Sequence, residues 1–76
     1  MKNAMLAETL VELRRQTRKA RFEVASEMGI SYSALTAYEL GERIPKDAAK
    51  VKIARYYNTS IEDLFYPQME ASDANG

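Results

Sequence analysis

Residues 21–41 read RFEVASEMGISYSALTAYELG, and the fold turns on this stretch. Val24, Ala25 and Met28 recur at i, i+1 and i+4, the spacing of one apolar face on a short helix. Gly29 can take the positive φ that ends a helix without the steric penalty of a Cβ. Ile30 follows as an apolar plug. Ser31 is a good N-cap, because its hydroxyl accepts from an orphan backbone N–H in the next turn. Leu35 and Tyr38 lie three apart on one face of a second helix, and Gly41 stands where a left-handed C-terminal residue belongs. The opposite face carries Tyr32, Ser33, Thr36 and Ala37. These are small or polar and uncharged, and nothing in the pattern asks for their burial.

On the N-terminal side, residues 1–4 read as frayed. Met5 to about Thr17 reads as a first helix, with Met5, Leu6, Leu10 and Leu13 approximating an apolar face. The run Arg14-Arg15-Gln16-Thr17-Arg18-Lys19-Ala20-Arg21 follows. Cations suit the negative end of a helix dipole, and beside the second helix the same run makes a lip that can face phosphates. On the C-terminal side, Glu42-Arg43-Ile44-Pro45 is a loop, in which Pro45 pushes Ile44 out of helical space and starts a helix. A fourth helix runs from about Lys46 to Tyr57, with Val51, Ile53, Ala54 and Tyr57 directed to the core. Asn58 is a left-handed stop. Ser60-Ile61-Glu62-Asp63 approximates a capping box with Asp63 at N3. It opens a short fifth helix anchored by Ile61, Leu64 and Phe65 and stopped by Pro67. The expected core is Leu10, Leu13, Val24, Ala25, Met28, Leu35, Tyr38, Ile53, Ala54 and Leu64. Residues 1–67 form one domain on this reading, and 68–76 a disordered acidic tail.

A chain of 76 residues is one small domain, which buries about 60–65% of its unfolded surface. It has no cysteine and no histidine, which removes disulfides, thiolate chemistry, zinc-finger ligands and imidazole catalysis. No cofactor, metal or small-molecule ligand is expected. No paired-carboxylate or nucleophile–base constellation suggests an enzyme. No apolar run reaches membrane-spanning length and no leader pattern precedes a cleavage site, so no membrane partner and a cytoplasmic location are expected. Formal net charge is zero, but eleven bases against seven acids leave +4 over residues 1–55, while four acids and no base leave −4 over 56–76. Local fields steer nucleic acid, and the sum over the chain does not.

Two short helices across a three-residue turn, the second with a polar outward face, have the geometry of a helix-turn-helix. Ala25-x-x-x-Gly29-Ile30-Ser31, then Tyr38-Glu39-x-Gly41 and Arg43-x-Pro45, resembles the phage-repressor/Cro-like (Xre-type) helix-turn-helix family, from about Leu6 to Phe65. The resemblance implies an all-α, five-helix lambda-repressor-like DNA-binding domain, with the helix at 31–40 as the recognition helix. It also implies a transcription regulator, commonly a repressor of phage or mobile-element type, and an ion pair between Arg14 and Glu39. Tyr32, Ser33, Thr36 and Ala37 would then face bases, and Arg18, Lys19, Arg21, Arg43 and Lys46 phosphates. The chain departs from the family at four places. Arg18 stands for the glycine that usually ends the first helix. Lys19-Ala20-Arg21 replaces a Leu-Thr-Gln sequence, which loses the Thr N-cap. Phe22 replaces a polar surface residue, and either fills the gap left by the missing Leu or meets a partner. Leu40 replaces a phosphate-contacting Asn.

Besides double-stranded DNA, the expected partner is a second copy of the chain, through the fifth helix and the residues after it (Tyr56, Phe65, Tyr66, Met69). The alternative reading is a helix-turn-helix scaffold used for protein interaction through Leu40, Phe22 and Tyr32.

Overall fold

The computed structural model describes residues 4–65. The described residues form five helices and no strand: α1 (Ala4–Thr17), α2 (Arg21–Met28), α3 (Tyr32–Glu39), α4 (Asp47–Tyr56) and α5 (Ile61–Phe65). α1 packs on α3 and α5, α2 on α3 and α4, and α4 on α5. Residues 1–3, Tyr66, Met69, the domain boundary at 67 and the acidic tail lie outside the described residues, as does the side chain of Phe65.

Three helices end in the same way, and the sequence shows why. Gly29 (φ 83°), Gly41 (φ 76°) and Asn58 (φ 55°) are left-handed. Each is followed by a residue whose N–H reaches back across the last turn: Ile30 to Ala25 O (3.0 Å), Glu42 to Ala37 O (2.9 Å) and Thr59 to Ala54 O (3.0 Å). This pattern satisfies carbonyls that the end of a helix would otherwise leave open. A Cβ on Gly29 would meet nothing nearer than Lys52 Nζ at 3.9 Å, so the glycine is required by its φ and not by lack of room.

α1 ends differently. Arg18 takes φ 61° with a full side chain. Thr17 Oγ1 donates to Arg14 O (2.6 Å) and accepts from Lys19 N (3.1 Å), standing in for the missing backbone bond. The start of α2 is under-capped as expected. Ala20 offers no side-chain acceptor, and its N–H donates to Glu23 Oε1 (3.1 Å), which is half of a capping box. Ser31 Oγ accepts from Ala34 N (3.1 Å) and Ser60 Oγ from Asp63 N (2.9 Å), so both expected serine caps form.

The core holds Leu6, Leu10, Val24, Ala25, Met28, Leu35, Tyr38, Ile53, Ala54 and Leu64, with Leu13, Ile30, Tyr56, Tyr57 and Ile61 packed half-buried against it. Leu13 therefore borders the core where the sequence put it inside. Val51 is a correction, being 39% exposed. It lies two residues from buried Ile53, about 200° around the helix, so the two cannot share a face. Met5 is also exposed, because Leu6 and Leu10, one turn apart, take the buried stripe. The loop before α4 shifts too: Lys46 is the N-cap and Pro45, expected to begin the helix, precedes it fully buried. Ser31 and Leu40 are caps of α3, and Tyr57 is the C-cap of α4. No helix among the described residues is long and apolar enough to cross a membrane.

Candidate nucleic-acid interface

α3 is held from three sides. Leu35 and Tyr38 anchor it in the core, and the Ser31 cap fixes its start. Lys52 Nζ on α4 donates to Gly29 O (3.1 Å), tying α4 to the turn before it. At its C-terminal end the buried Glu39 carboxylate accepts from Arg14 Nε at both oxygens (3.1 and 2.9 Å) and from Arg21 Nε (2.9 Å). One acid thus links α1, α2 and α3. The Arg14–Glu39 pair implied by resemblance is present, and Arg21 joins it as a second cation. A buried carboxylate needs such partners, because losing one leaves an uncompensated charge.

The residues expected to face bases lie on the side of α3 away from its core anchors Leu35 and Tyr38, with Thr36 one turn before Glu39 and beside Arg21. Tyr32 (51%) and Ser33 are exposed in the first turn, while Thr36 and Ala37, one turn on, are half-buried. Thr36 Oγ1 accepts from Arg21 Nη1 at 3.4 Å.

The expected phosphate contacts divide into two groups. Arg18, Arg43 and Lys46 are exposed and make no side-chain hydrogen bond or ion pair among the described residues. Arg43, Lys46 and Lys52 line a cleft of about 460 Å³ between the motif's turn and the start of α4. Lys19 and Arg21 are instead held by carboxylates. Lys19 Nζ lies 2.8 and 3.0 Å from the two oxygens of Glu27, and Tyr56 Oη donates to Glu27 Oε1 (2.6 Å). The hydrogen bond from Lys19, and then that from Tyr56, holds the Glu27 carboxyl below its ordinary value. The bond to Glu27 raises both Lys19 and Tyr56. Tyr56, expected at a dimer surface, is half-buried and spends its hydroxyl inside the chain.

Sequence reading did not find the Lys19–Glu27–Tyr56 network or the second role of Arg21. The partners are eight to twenty-nine residues apart, with no periodicity to betray them. Of the two options for Phe22, the structure takes exposure, at 69%. No cluster of acidic residues that could hold a metal occurs among the described residues.

A helix-turn-helix family model matches residues 10–64. The uncharacterized HTH-type transcriptional regulator YqaE of Bacillus subtilis (strain 168) is 33% identical over 60 residues, which are 79% of this chain and 52% of that protein. The chain therefore spans about half the length of this curated relative. No solved structure matches.

Proposed function

The chain belongs to the phage-repressor/Cro-like (Xre-type) helix-turn-helix family, whose members are DNA-binding regulators and not enzymes, and on that basis we propose that it regulates transcription by sequence-specific binding to double-stranded DNA. In this reading it is a cytoplasmic repressor of phage or mobile-element type, acting as a homodimer with α3 in the major groove. The carrying observation is the outward side of α3: Tyr32 and Ser33 stand exposed in the first turn of a helix anchored at both ends. The major groove accepts a helix and offers a distinct donor and acceptor pattern for every base pair. Ser33 and Thr36 supply hydroxyls for base edges, while Ala37 and the Thr36 methyl fit a thymine methyl. Tyr32 carries a ring for a sugar or methyl and a hydroxyl within reach of the backbone.

Arg18, Arg43 and Lys46 are the phosphate contacts best supported, because no carboxylate competes for them among the described residues. Lys19 must leave Glu27, or share it, to do the same work. Arg21 keeps its Nη2 donors available beside Glu39. The homodimer follows from size. One small domain covers too little of an operator for typical specific affinity, and two-fold dimers on half-sites one turn apart are the usual remedy. The proposed surface is α5 and the residues after it; α5 itself borders a groove of about 500 Å³ lined by Val51 and Ile61.

A mobility-shift assay against fragments flanking the native gene tests this reading. At least one fragment should stay bound under an excess of unrelated competitor, with two chains per site by sedimentation. Equal competition by every fragment refutes sequence-specific binding, and one chain per site refutes the dimer. Arg43→Ala should weaken all sequences alike and lower the salt slope by about one unit for each phosphate it no longer holds.

The protein-interaction reading has its own support in Phe22, Tyr32 and Leu40, which expose 69%, 51% and 55% of their surface. It predicts weak, non-specific DNA affinity, and loss of a protein partner on Leu40→Asp.

A further inference from the structure

We infer, resting on the DNA reading above, that α3 recognises thymine by its C5 methyl. The half-site this chain selects carries thymines under Tyr32, Thr36 and Ala37, read by apolar contact and not by paired hydrogen bonds.

Leu35, Tyr38 and Glu39 are buried and Ala34 packs against the core, which leaves Tyr32, Ser33, Thr36 and Ala37 on the outward side of α3. None of these four carries an amide, a carboxylate, an ammonium or a guanidinium. Those are the groups that pair with base edges two bonds at a time: arginine or lysine with guanine O6 and N7, asparagine or glutamine with adenine N6 and N7. A carboxylate to accept from cytosine N4 is missing as well. The cation that touches this side, Arg21, has its Nε on buried Glu39 at 2.9 Å and its Nη1 3.4 Å from Thr36 Oγ1. Two of its three nitrogens are thereby engaged within the chain.

What the outward side offers is methyl groups on Thr36 and Ala37 and the ring of Tyr32, which is 51% exposed. In the major groove their complement is the thymine C5 methyl, which alanine, the threonine methyl and aromatic rings contact. A serine or threonine hydroxyl pairs with either kind of hydrogen-bonding partner. Ser33 and Thr36 therefore add affinity through their hydroxyls but discriminate little.

Apolar reading demands close and fixed contact, because a gap of about 0.5–1 Å forfeits a quarter to a half of the dispersion energy. α3 meets that demand. Ser31 caps its start, Leu35 and Tyr38 hold its middle in the core, and Arg14 and Arg21 hold Glu39 at its end. Small outward side chains also let a helix about 10–12 Å across sit deep in a groove about 12 Å wide.

The test begins with selection of bound duplexes from a random pool. Each thymine of the selected half-site is then replaced singly by deoxyuridine, which pairs as thymidine does and lacks only the methyl. At two or more positions uracil should weaken binding about fourfold, the worth of one buried methyl. At the same positions 5-methylcytosine should bind about fourfold better than cytosine. Thr36→Ser keeps the hydroxyl and loses the methyl, so it should erase the uracil penalty at one thymine. Thr36→Val keeps a methyl and should leave that penalty in place. Tyr32→Ala and Ala37→Gly, with their fold checked by far-UV circular dichroism, should erase penalties at other thymines.

A uracil cost below about 1.5-fold at every thymine overturns the inference, since no methyl is then buried. Penalties that survive Tyr32→Ala, Thr36→Ser and Ala37→Gly alike overturn it too, because the methyls are then read elsewhere or through the shape of the duplex. A selected half-site without thymine overturns the inference and leaves the DNA reading standing. A wild-type chain that enriches no sequence overturns both.

Discussion

Replacing Arg18 by glycine should make the protein more stable and a weaker DNA binder at once. Arg18 sits at φ 61°, where a residue with a Cβ is strained by roughly 1–2 kcal/mol. Glycine removes that strain but returns about 0.4–1 kcal/mol through the greater entropy of its unfolded chain. The side chain makes no hydrogen bond among the described residues, so the net gain is about 0.5–1 kcal/mol. In a domain of this size about 1 kcal/mol moves the melting temperature by 4–8 °C, so the rise should be about 2–8 °C by far-UV circular dichroism. The same change removes a cation proposed to hold phosphate, and the salt slope of binding should fall by about one unit per half-site between roughly 50 and 200 mM salt. Arg18→Ala separates the two effects, since it loses the same charge but keeps the Cβ and the strain. Alanine and glycine variants should share one salt slope and differ in melting temperature. If glycine melts no higher than alanine, strain at Arg18 is not what the end of α1 costs. If neither variant changes the slope, Arg18 does not touch the backbone of DNA.

Leu35→Ala should cost roughly 2–5 kcal/mol in urea denaturation, because it opens a cavity where α3 meets the core, and a loss well under 1 kcal/mol would remove Leu35 from it. Ala20→Ser should gain about 1 kcal/mol by supplying the missing N-cap acceptor of α2, provided the Glu23 bond to Ala20 N persists. Tyr57 Oη is buried without a hydrogen-bond partner among the described residues, and burial raises its pKa, so Tyr57→Phe should stabilise by on the order of 1 kcal/mol; a clear loss would reveal a hydrogen bond there. The Glu27 network should give stability a dependence on pH at both ends. Glu27 is held below 4.5, so its contribution is full above that value and is lost as pH falls through the lowered one. Tyr56 and Lys19 are held above 10.0 and 10.5, so theirs is full below those values and is lost as pH rises through the raised ones. Glu27→Gln should flatten both changes in a series of thermal melts, and unchanged curves would mean the network is absent in solution.

The places where sequence reading succeeded are those where physics acts within a few residues. Gly29, Gly41 and Asn58 end helices because backbone sterics are local, and Ser31 and Ser60 cap because their hydroxyls reach only the next turn. The apolar stripes of α2 and α3 were legible because burial follows the helical period. Composition without the period misleads: Val51 is apolar and two residues from Ile53, yet the helix turns the two to opposite sides and leaves Val51 exposed. Resemblance supplied the Arg14–Glu39 pair, which no local pattern contains.

Five helices among the described residues, the serine caps of α3 and α5, the left-handed stops at Gly29, Gly41 and Asn58 and the core-facing residues of the central pair are thus written in the order of residues alone. How the cations are used is not, and packing settled it. Arg18, Lys19 and Arg21 look alike in a basic run, yet the first lies exposed in a strained turn, the second is paired with Glu27, and the third is locked on buried Glu39 against Thr36. A charge takes its role from the charges and solvent around it, and folding brings those neighbours from distant parts of the chain.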